Sequence, residues 1–441
     1  MFSLFFAGVL LLSGVQTSDV QPLLKALNAP TSAERAEAEQ ALLALGPEVL
    51  PLLPDLNSPA GKKLPPETRL RLNRVKLALE KQKSADSLSA SMVTLTEAEP
   101  LDKVLEKIAA QTGNVLKSGL TEPPTFTPTE GASPQPFWQT VDTLCDTLGL
   151  TLIPRKGEDG TNRWNLVKSP RSTKRAAAQN EHVTYLEAFR LEPLKITSNI
   201  QLDSERMAST LLLELAWEPK LTPIYAQITL DKIRFSDEEE PKTDELFPRT
   251  VDLPLELGDI RSVPEIPIPL KKPEILREHQ SMTLGGTLYT VVAGPKTDFA
   301  FRELDQKLGR EFTPVSHRTN ALLLTLTRLR LEKTPREDGT TTSELVATVR
   351  YRYENPYEAM ESHRQWVYEN PAWLINATGT RINIERSEML LQTTNEIALD
   401  LYFPVTDDVI QGLTGWTLIY PRPSGLYEVK HAFELRNIPI P

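Results

Sequence analysis

The strongest constraint on the fold is an alternation of apolar and polar residues that recurs from about residue 182 to the C-terminus. The stretches that show it are "TLLLELAW" (210–217), "ELVATVRYRYE" (344–354), "EIALDLYF" (396–403) and "YEVKHAFEL" (427–435). A period of two places every second side chain on the same face of a strand, so these stretches predict antiparallel sheets with buried faces. The 36 prolines, against only 20 glycines, favour defined turns and edge strands.

A pattern that extends over roughly 260 residues suits two β-sandwiches, in each of which two sheets pack face to face. We predict a first sandwich over residues 182–310 and a second over 311–441, with the boundary near 309–318. The stretch "SPRSTKRAAAQNE" before them is polar and locally basic, and it predicts a linker over 169–181.

Residues 19–84 carry a helical period instead. Thr31 lies three residues before Glu34, the spacing of a capping box, and Gly46 with Pro47 is expected to end that helix and start the next. Short antiparallel helices with proline at the turns resemble HEAT-type repeats, although only about two hairpins fit here. Such arrays usually need three or more units to be stable alone, so we expect this segment to be stabilised by packing against a neighbouring part of the chain.

The same helix-forming sequence pattern occurs twice between residues 88 and 168. It appears as "PLDKVLEKIAAQTGNVL" (100–116) and again as "PFWQTVDTLCDTLGLTL" (136–152). Each copy opens with proline, places its apolar residues on one helical face, and ends at a glycine, Gly113 or Gly149, before an apolar strand. These residues predict a small α/β domain made of two strand–helix–strand halves, which gives a multidomain α+β fold class for the chain.

The order "VTLTEAEPLDKVLEKIAAQTGNVL…FWQTVDTLCDTLGLTLIP…RWNLV" resembles the short N-terminal domain of secretins and TonB-dependent receptors. The resemblance covers about 80 of the 441 residues. In that family the domain is a periplasmic protein–protein contact element, so the resemblance implies a binding role. Neither a secretin pore domain nor a receptor barrel follows it here. The whole arrangement also resembles a group of exported bacterial envelope proteins, a likeness that implies no activity.

The N-terminus has the character of an export signal. The apolar run "FSLFFAGVLLLSGV" has 14 residues, which is short for a bilayer span, and we predict a signal peptide over 1–17 with cleavage near Thr17. No lysine or arginine precedes the run, so a retained interfacial anchor is the alternative. No later segment reaches membrane-spanning length, and the sequence therefore predicts an exported, periplasmic or extracellular protein without an integral membrane segment beyond the signal.

Charge and the rare reactive residues argue against several classes of function. A net charge of −10 argues against general nucleic-acid binding, which needs a basic face. Cys145 is the only cysteine and lies on the apolar face of the second helix copy, so we expect a core residue rather than a nucleophile. The five histidines are scattered and form no H-E-x-x-H motif. We predict no catalytic residue, no metal site and no cofactor.

The best candidate for a binding surface in the sequence is aromatic. "HRQWVYENPAWLINATG" places Trp366, Tyr368 and Trp373 around the turn at Asn370–Pro371. Exposed aromatic rings on a sandwich can stack on sugar rings or anchor a protein partner. The competing interpretation is that at least one of these tryptophans fills the sandwich core.

Two functions from different classes follow. The first is a non-enzymatic exported protein that contacts other envelope proteins through the α/β domain and the helical N-terminus. The alternative is a carbohydrate-binding protein, or a carbohydrate-active enzyme, that uses the sandwich face around Trp366–Trp373. Changes in the α/β domain should abolish association in the first case, whereas Trp366→Ala and Trp373→Ala should abolish retention on polysaccharide in the second.

Overall fold

The computed structural model describes most of the chain. The described residues are 17–54, 56, 61, 63–129, 133–156, 162–168, 182–201, 206–236, 250–253, 262–270, 279–294, 296–319, 322–335, 341–353 and 371–440. The predicted signal peptide up to residue 16 and the predicted linker at 169–181 lie outside them. The described elements combine α-helices with antiparallel sheets, in agreement with the predicted multidomain α+β class. The chain divides into two units, residues 1–86 and 87–441.

The first unit is helical. Its elements are α1 (Thr17–Ala26), α2 (Ser32–Ala44), a 3₁₀ helix (Pro47–Leu52) and α3 (Pro66–Leu88), of which the last two residues belong to the second unit. The predicted capping box is confirmed, because Thr31 Oγ1 accepts a hydrogen bond from Glu34 N at 3.3 Å and Glu34 Oε2 accepts one from Thr31 N at 3.2 Å. Leu42 and Leu79 lie in the core, whereas Leu70 is exposed.

Residues 88–168, called the α/β module below, contain two helices and several short strands. The elements are β1 (Met92–Val93), β2 (Glu99–Pro100), α4 (Leu101–Thr112), β3 (Leu116–Ser118), β4 (Thr125–Phe126), β5 (Gln135–Pro136), α5 (Phe137–Leu148), β6 (Leu150–Lys156) and β7 (Asn162–Lys168). The strands pair in the orders β1-β5, β2-β4 and β3-β7-β6. The two helices pack onto these strands around one core.

The repeated helix signal is confirmed by α4 and α5, which have 12 residues each. Gly113 and Gly149 follow them with φ of 73° and 62°, a conformation that glycine adopts without the steric cost of a Cβ. Pro100 and Pro136 precede the helices with extended backbone (ψ of 143° and 145°), so they lie just outside the first turn rather than in it.

Cys145 is fully buried on the inner face of α5, which confirms the prediction of a core residue. We expect the native protein to resist thiol labelling and the urea-unfolded protein to label completely, because the thiolate must reach the reagent. Labelling with a chromogenic disulfide reagent, with and without urea, measures this directly. Rapid labelling of the native protein would contradict the placement.

Two four-stranded antiparallel sheets share one hydrophobic core and form the first sheet pair. One sheet contains β8 (Thr184–Leu186), β9 (Phe189–Gln201), β10 (Arg206–Trp217) and β13 (Ser262–Leu270), in the order β13-β10-β9-β8. The other contains β11 (Pro223–Phe235), β12 (Thr250–Asp252), β14 (Ser281–Ala293) and β24 (Leu426–Pro439), in the order β12-β11-β14-β24. Leu211, Leu213 and Leu215 of β10 are all fully buried, as their alternation predicted.

Two further antiparallel sheets share a second core and form the second sheet pair. One contains β15 (Lys296–Phe301), β19 (Trp373–Asn376), β20 (Arg381–Asn383) and β23 (Trp416–Pro423), in the order β15-β23-β19-β20. The other contains β16 (Val315–Arg318), β17 (Leu322–Pro335), β18 (Thr341–Tyr353), β21 (Arg386–Gln392) and β22 (Glu396–Val405), in the order β16-β17-β18-β22-β21. The short helices α6 (Leu304–Lys307) and α7 (Asp407–Gln411) and a 3₁₀ turn (Leu413–Gly415) connect strands of this pair.

The sheet topology departs from the predicted sandwiches at 182–310 and 311–441. The last strand, β24, pairs with β14 of the first sheet pair, from Pro439 opposite Ser281 to Leu426 opposite Ala293. Strand β15, which precedes residue 310, pairs with β23 of the second. The second sheet pair is therefore inserted between β14 and β24. An alternating pattern indicates that residues form a strand but not which strand they pair with, so it could not predict this long-range pairing.

Among the described residues, no helix has both the length and the apolar character needed to cross a membrane.

Candidate functional site

The aromatic surface predicted from the sequence is only partly described. Trp366 and Tyr368 lie outside the described residues. Trp373 begins β19, is half-buried, and has the guanidinium carbon of Arg381 at 3.8 Å from its ring centroid. This cation–π contact occupies one face of the ring. The role of the three aromatic residues in ligand binding stays a prediction.

The described histidines are dispersed among the strands. His279 stacks on Phe235 with ring centroids 4.0 Å apart, and His317 meets the edge of Phe301 at 4.9 Å. His431 is half-buried in β24, and burial lowers its pKa. In the part of the chain that the structure describes, no three His, Cys, Asp or Glu residues are grouped so that they could hold a metal ion.

The α/β module is attached to the first sheet pair by two buried polar clusters and a tryptophan, which we call the junction. The first cluster centres on Glu218, directly after β10, which is fully buried. Its carboxylate accepts hydrogen bonds from Ser91 N (2.8 Å), Ser91 Oγ (2.6 Å) and Asn114 Nδ2 (2.6 Å), and Lys220 Nζ lies 3.4 Å away. Since Ser91 and Asn114 belong to the module, the module supplies these three hydrogen bonds to a buried charge of the sheet pair.

The second cluster centres on Arg190 of β9, whose side chain is only 9% exposed. Its guanidinium donates to Asp142 Oδ2 of α5 at 2.8 Å, lies 2.6 Å from Glu192 Oε2, and lies 4.0 Å from Glu214 Oε2. The hydroxyl of Tyr185 donates to the same Asp142 oxygen at 2.7 Å. One carboxylate of the module is thus held by two side chains of the first sheet pair.

Arg190 and Tyr185 of this second cluster keep their protonation states at neutral pH. Burial opposes the charge of Arg190, but the carboxylates of Asp142 and Glu192 outweigh it, and the pKa of the guanidinium is raised. Burial, reinforced by the negative charge of Asp142, also raises the pKa of the Tyr185 hydroxyl. Neither group can exchange a proton near pH 7, so this cluster fits an attachment better than an acid–base site.

Trp138 is the apolar part of the junction. Its indole Nε1 donates to the carbonyl oxygen of Ala188 at 3.1 Å, and its ring meets that of Trp164 edge-on with centroids 6.2 Å apart. Ala216 of β10 in turn lies in the core of the module. The module and the first sheet pair therefore bury side chains in common.

A groove of about 340 Å³ opens on the surface of the α/β module. Its buried lining residues are apolar except for Thr140, its exposed ones carry hydroxyl and amide groups, and none of its described lining residues is charged. The apolar lining residues are Val93, Leu95, Phe126 and Pro128, and the polar ones are Thr127, Thr129, Ser133, Gln135, Thr140, Thr143 and Thr147. Such a lining can bury small apolar groups and hydrogen-bond to an uncharged polar chain.

Helix α5 separates this groove from the junction. Trp138 and Asp142 lie one turn apart on the side that meets the sheets, whereas Thr143 and Thr147 line the groove. Because successive residues of an α-helix are about 100° apart, Thr147 lies about 180° round the helix from Trp138. The groove therefore stays open while the module is attached.

The sequence predictions did not include the junction or the groove. A weak signal for the junction exists in "FRLEP", where Arg190 and Glu192 share one face of a strand that is otherwise apolar, since buried charges in a strand need partners from another element. The groove has no such signal, because threonines on an exposed helix face are unremarkable in a sequence.

Fold and geometry together define a multidomain α+β protein whose first sheet pair carries an α/β module with an open groove. No family model, no curated protein and no solved structure matches this chain.

Proposed function

We propose that this chain is an exported, non-enzymatic protein that binds other proteins of the cell envelope through the groove of the α/β module. The observation that carries the proposal is the uncharged groove of about 340 Å³ on the side of α5 opposite the junction. A surface held in a fixed orientation, with an apolar floor and a hydroxyl rim, is suited to binding an extended, uncharged protein segment. The resemblance to the short N-terminal domain of secretins and TonB-dependent receptors supports the same role, and the predicted export signal supports the location.

The titratable groups favour binding over catalysis. Arg190 and Tyr185, whose pKa values shift most strongly in and around the module, form closed contacts within the junction. Catalytic acids and bases need pKa values near the working pH and access to a substrate. The HEAT-like helices of the first unit would supply a second contact surface under this proposal. The alternative of carbohydrate binding depends on Trp366, Tyr368 and Trp373, and no described contact of these residues favours it.

Deleting the whole module would be a poor test. Residues 88–168 supply Asp142 to Arg190, and Ser91 and Asn114 to Glu218, so a deletion would take these partners from two buried charges and destabilise the first sheet pair. A loss of binding could then reflect unfolding. Substitutions confined to the groove avoid this.

We expect the double variant Thr143→Arg/Thr147→Arg to lose its partner. Both threonines are exposed and face the groove, so two arginine side chains would fill it and add charge without touching the core. Crosslinking and co-purification of the tagged full-length chain from its native envelope should show recovery of the bound protein falling about tenfold or more, the change expected when a central contact is blocked.

The matched control is Ala110→Arg, which adds the same side chain to an exposed position of α4 outside the groove lining. This variant should recover the partner at the level of the unmodified chain. Equal recovery by all three proteins would refute the groove as the docking surface, and so would equal loss by the control.

A further inference from the structure

Helix α3 of the first unit has one face in the core and a second face that points outward. Leu72, Val75 and Leu79 are buried, as the helical period requires of the core face. Leu70 is 61% exposed, the largest value among the large apolar side chains that the structure describes. Because successive residues are about 100° apart, Leu70 lies about 180° round the helix from Leu79. The helix therefore presents a leucine on the side away from its core.

Leu77 continues this outward face. It follows Leu70 by seven residues, so the two side chains lie about 20° apart round the helix and two turns apart along it. Leu77 is half-buried, and Asn73 between the two leucines is exposed. Leucines at this heptad spacing form a narrow apolar stripe, as along the seam of a coiled coil. A helix that lies on a membrane presents a broader apolar face, with phenylalanine or tryptophan among its residues.

Basic residues flank the stripe on both sides. Arg74 and Lys81 each follow one of the leucines by four residues, and Arg69 directly precedes Leu70. In a coiled coil these are the e and g positions, whose charges decide which helices pair. All three basic side chains are exposed, so they are available to a helix that packs along the stripe.

The charges beside the stripe are not balanced within the described part of the chain. Arg69 and Lys81 take part in no ion pair there. Arg74 is 55% exposed and reaches Glu39 Oε2 at 3.1 Å, but Arg71 holds the same oxygen at 2.9 Å. One carboxylate shared by two guanidinium groups leaves positive charge in excess, which attracts an acidic partner.

The acidic residues of α3 do not offset this charge. Glu67, Glu80 and Asp86 stand against six basic residues of the same helix, although the whole chain has a net charge of −10. Glu67 is moreover engaged by Arg35 at 3.0 Å and by Arg71 at 3.1 Å. The outward face of α3 is thus a basic stripe on an acidic protein.

We propose that this face binds an amphipathic helix of a partner protein whose apolar stripe is flanked by acidic residues. Leu70 and Leu77 pack against the apolar stripe of the partner, and the three basic side chains pair with its carboxylates. A second copy of the same face is disfavoured as the occupant, because basic flanks would then meet basic flanks. The site belongs to the first unit and does not rest on the groove of the α/β module.

The probe is a synthetic helix of about three heptads, with leucine at the a and d positions and glutamate at e and g. Fluorescence anisotropy of the labelled peptide with the full-length chain should give a dissociation constant on the order of 10 µM or tighter at about 20 mM salt. Binding should weaken about tenfold at about 0.5 M salt, because exposed charges are screened. A basic peptide with the same leucines, and lysine at e and g, should bind at least about tenfold more weakly.

Charge reversal locates the site. Arg69→Glu/Lys81→Glu should weaken binding of the acidic peptide about tenfold or more, and it should bind the basic peptide more tightly than the unmodified chain does. Both positions are exposed and glutamate is a good helix former, so α3 is expected to stay folded. The matched control Lys117→Glu/Arg310→Glu makes the same charge change at exposed positions of the second unit and should leave both affinities unchanged. Leu70→Gln should weaken the acidic peptide without altering its salt dependence.

Three results would overturn the proposal: no binding of the acidic peptide at about 1 mM, undiminished binding by Arg69→Glu/Lys81→Glu, or equal weakening by the control. Equal binding of a scrambled peptide of the same composition would also overturn it, since the face would then attract negative charge of any shape. Binding to vesicles of anionic phospholipid in place of the peptide would assign the face to a membrane instead. Thr143→Arg/Thr147→Arg should bind the acidic peptide normally, so this proposal and that of the groove can fail separately.

Discussion

Replacing Glu218 with alanine is expected to destabilise residues 87–441 by about 3–5 kcal/mol, the range for removing one partner of a buried charged network. Three hydrogen-bond donors, from Ser91 and Asn114, and the ammonium group of Lys220 would lose an acceptor in a position that water does not reach. Urea unfolding of the full-length chain measures the loss. All six tryptophans lie after residue 86, so their fluorescence reports the second unit alone.

Glu187→Ala is the matched control for this experiment. Glu187 also belongs to the first sheet pair and contacts the module, but it is exposed and accepts a hydrogen bond from Ala90 N at 3.1 Å. We expect a loss of less than about 1 kcal/mol, as for other exposed charged groups. If the two variants lost equal stability, burial of Glu218 would not be what makes its contacts strong.

Local features of the chain could be predicted from the sequence because they depend on neighbouring residues. Thr31 and Glu34 cap α2 as their spacing indicated, and Gly113 and Gly149 end the module helices with positive φ. Cys145 is buried where the apolar face of α5 placed it. In each case the preference of a residue type within one helical turn is enough to fix the outcome.

Features that join distant segments could not be predicted in this way. Strand β24 pairs with β14, although the alternation in "YEVKHAFEL" would suit any sheet with one buried face. From the sequence alone, Asp142 is only a polar residue on a predicted helix. Its contact with Arg190, 48 residues later, forms only in the folded chain. The groove and the junction both arise from contacts between distant segments, so they could not be predicted from the sequence, whereas most of the helices could.

Replacing Arg190 with methionine is expected to cost about 3–5 kcal/mol, since it leaves Asp142 and Glu192 buried without their guanidinium partner. Methionine has a similar length, so lost packing contributes little. Adding Asp142→Asn should recover a large part of the loss, because the amide removes one of the stranded charges and its oxygen can still accept from Tyr185. Urea unfolding followed by tryptophan fluorescence gives both free energies.

The same pair of variants tests whether the junction orients the groove. Asp142 and Thr143 are consecutive residues of α5, one facing the junction and the other facing the groove. Loss of the ion pair on the junction side should therefore disturb the groove and reduce partner recovery. Partner recovery should therefore fall in Arg190→Met and rise again in Arg190→Met/Asp142→Asn, in parallel with stability. If stability returned while binding did not, Arg190 would have to contribute to the partner interface in some way other than by holding α5. If neither stability nor partner recovery changed in these variants, the ion pair would not be needed to keep α5 in place. The other contacts with the sheets, including that of Trp138, would then be sufficient.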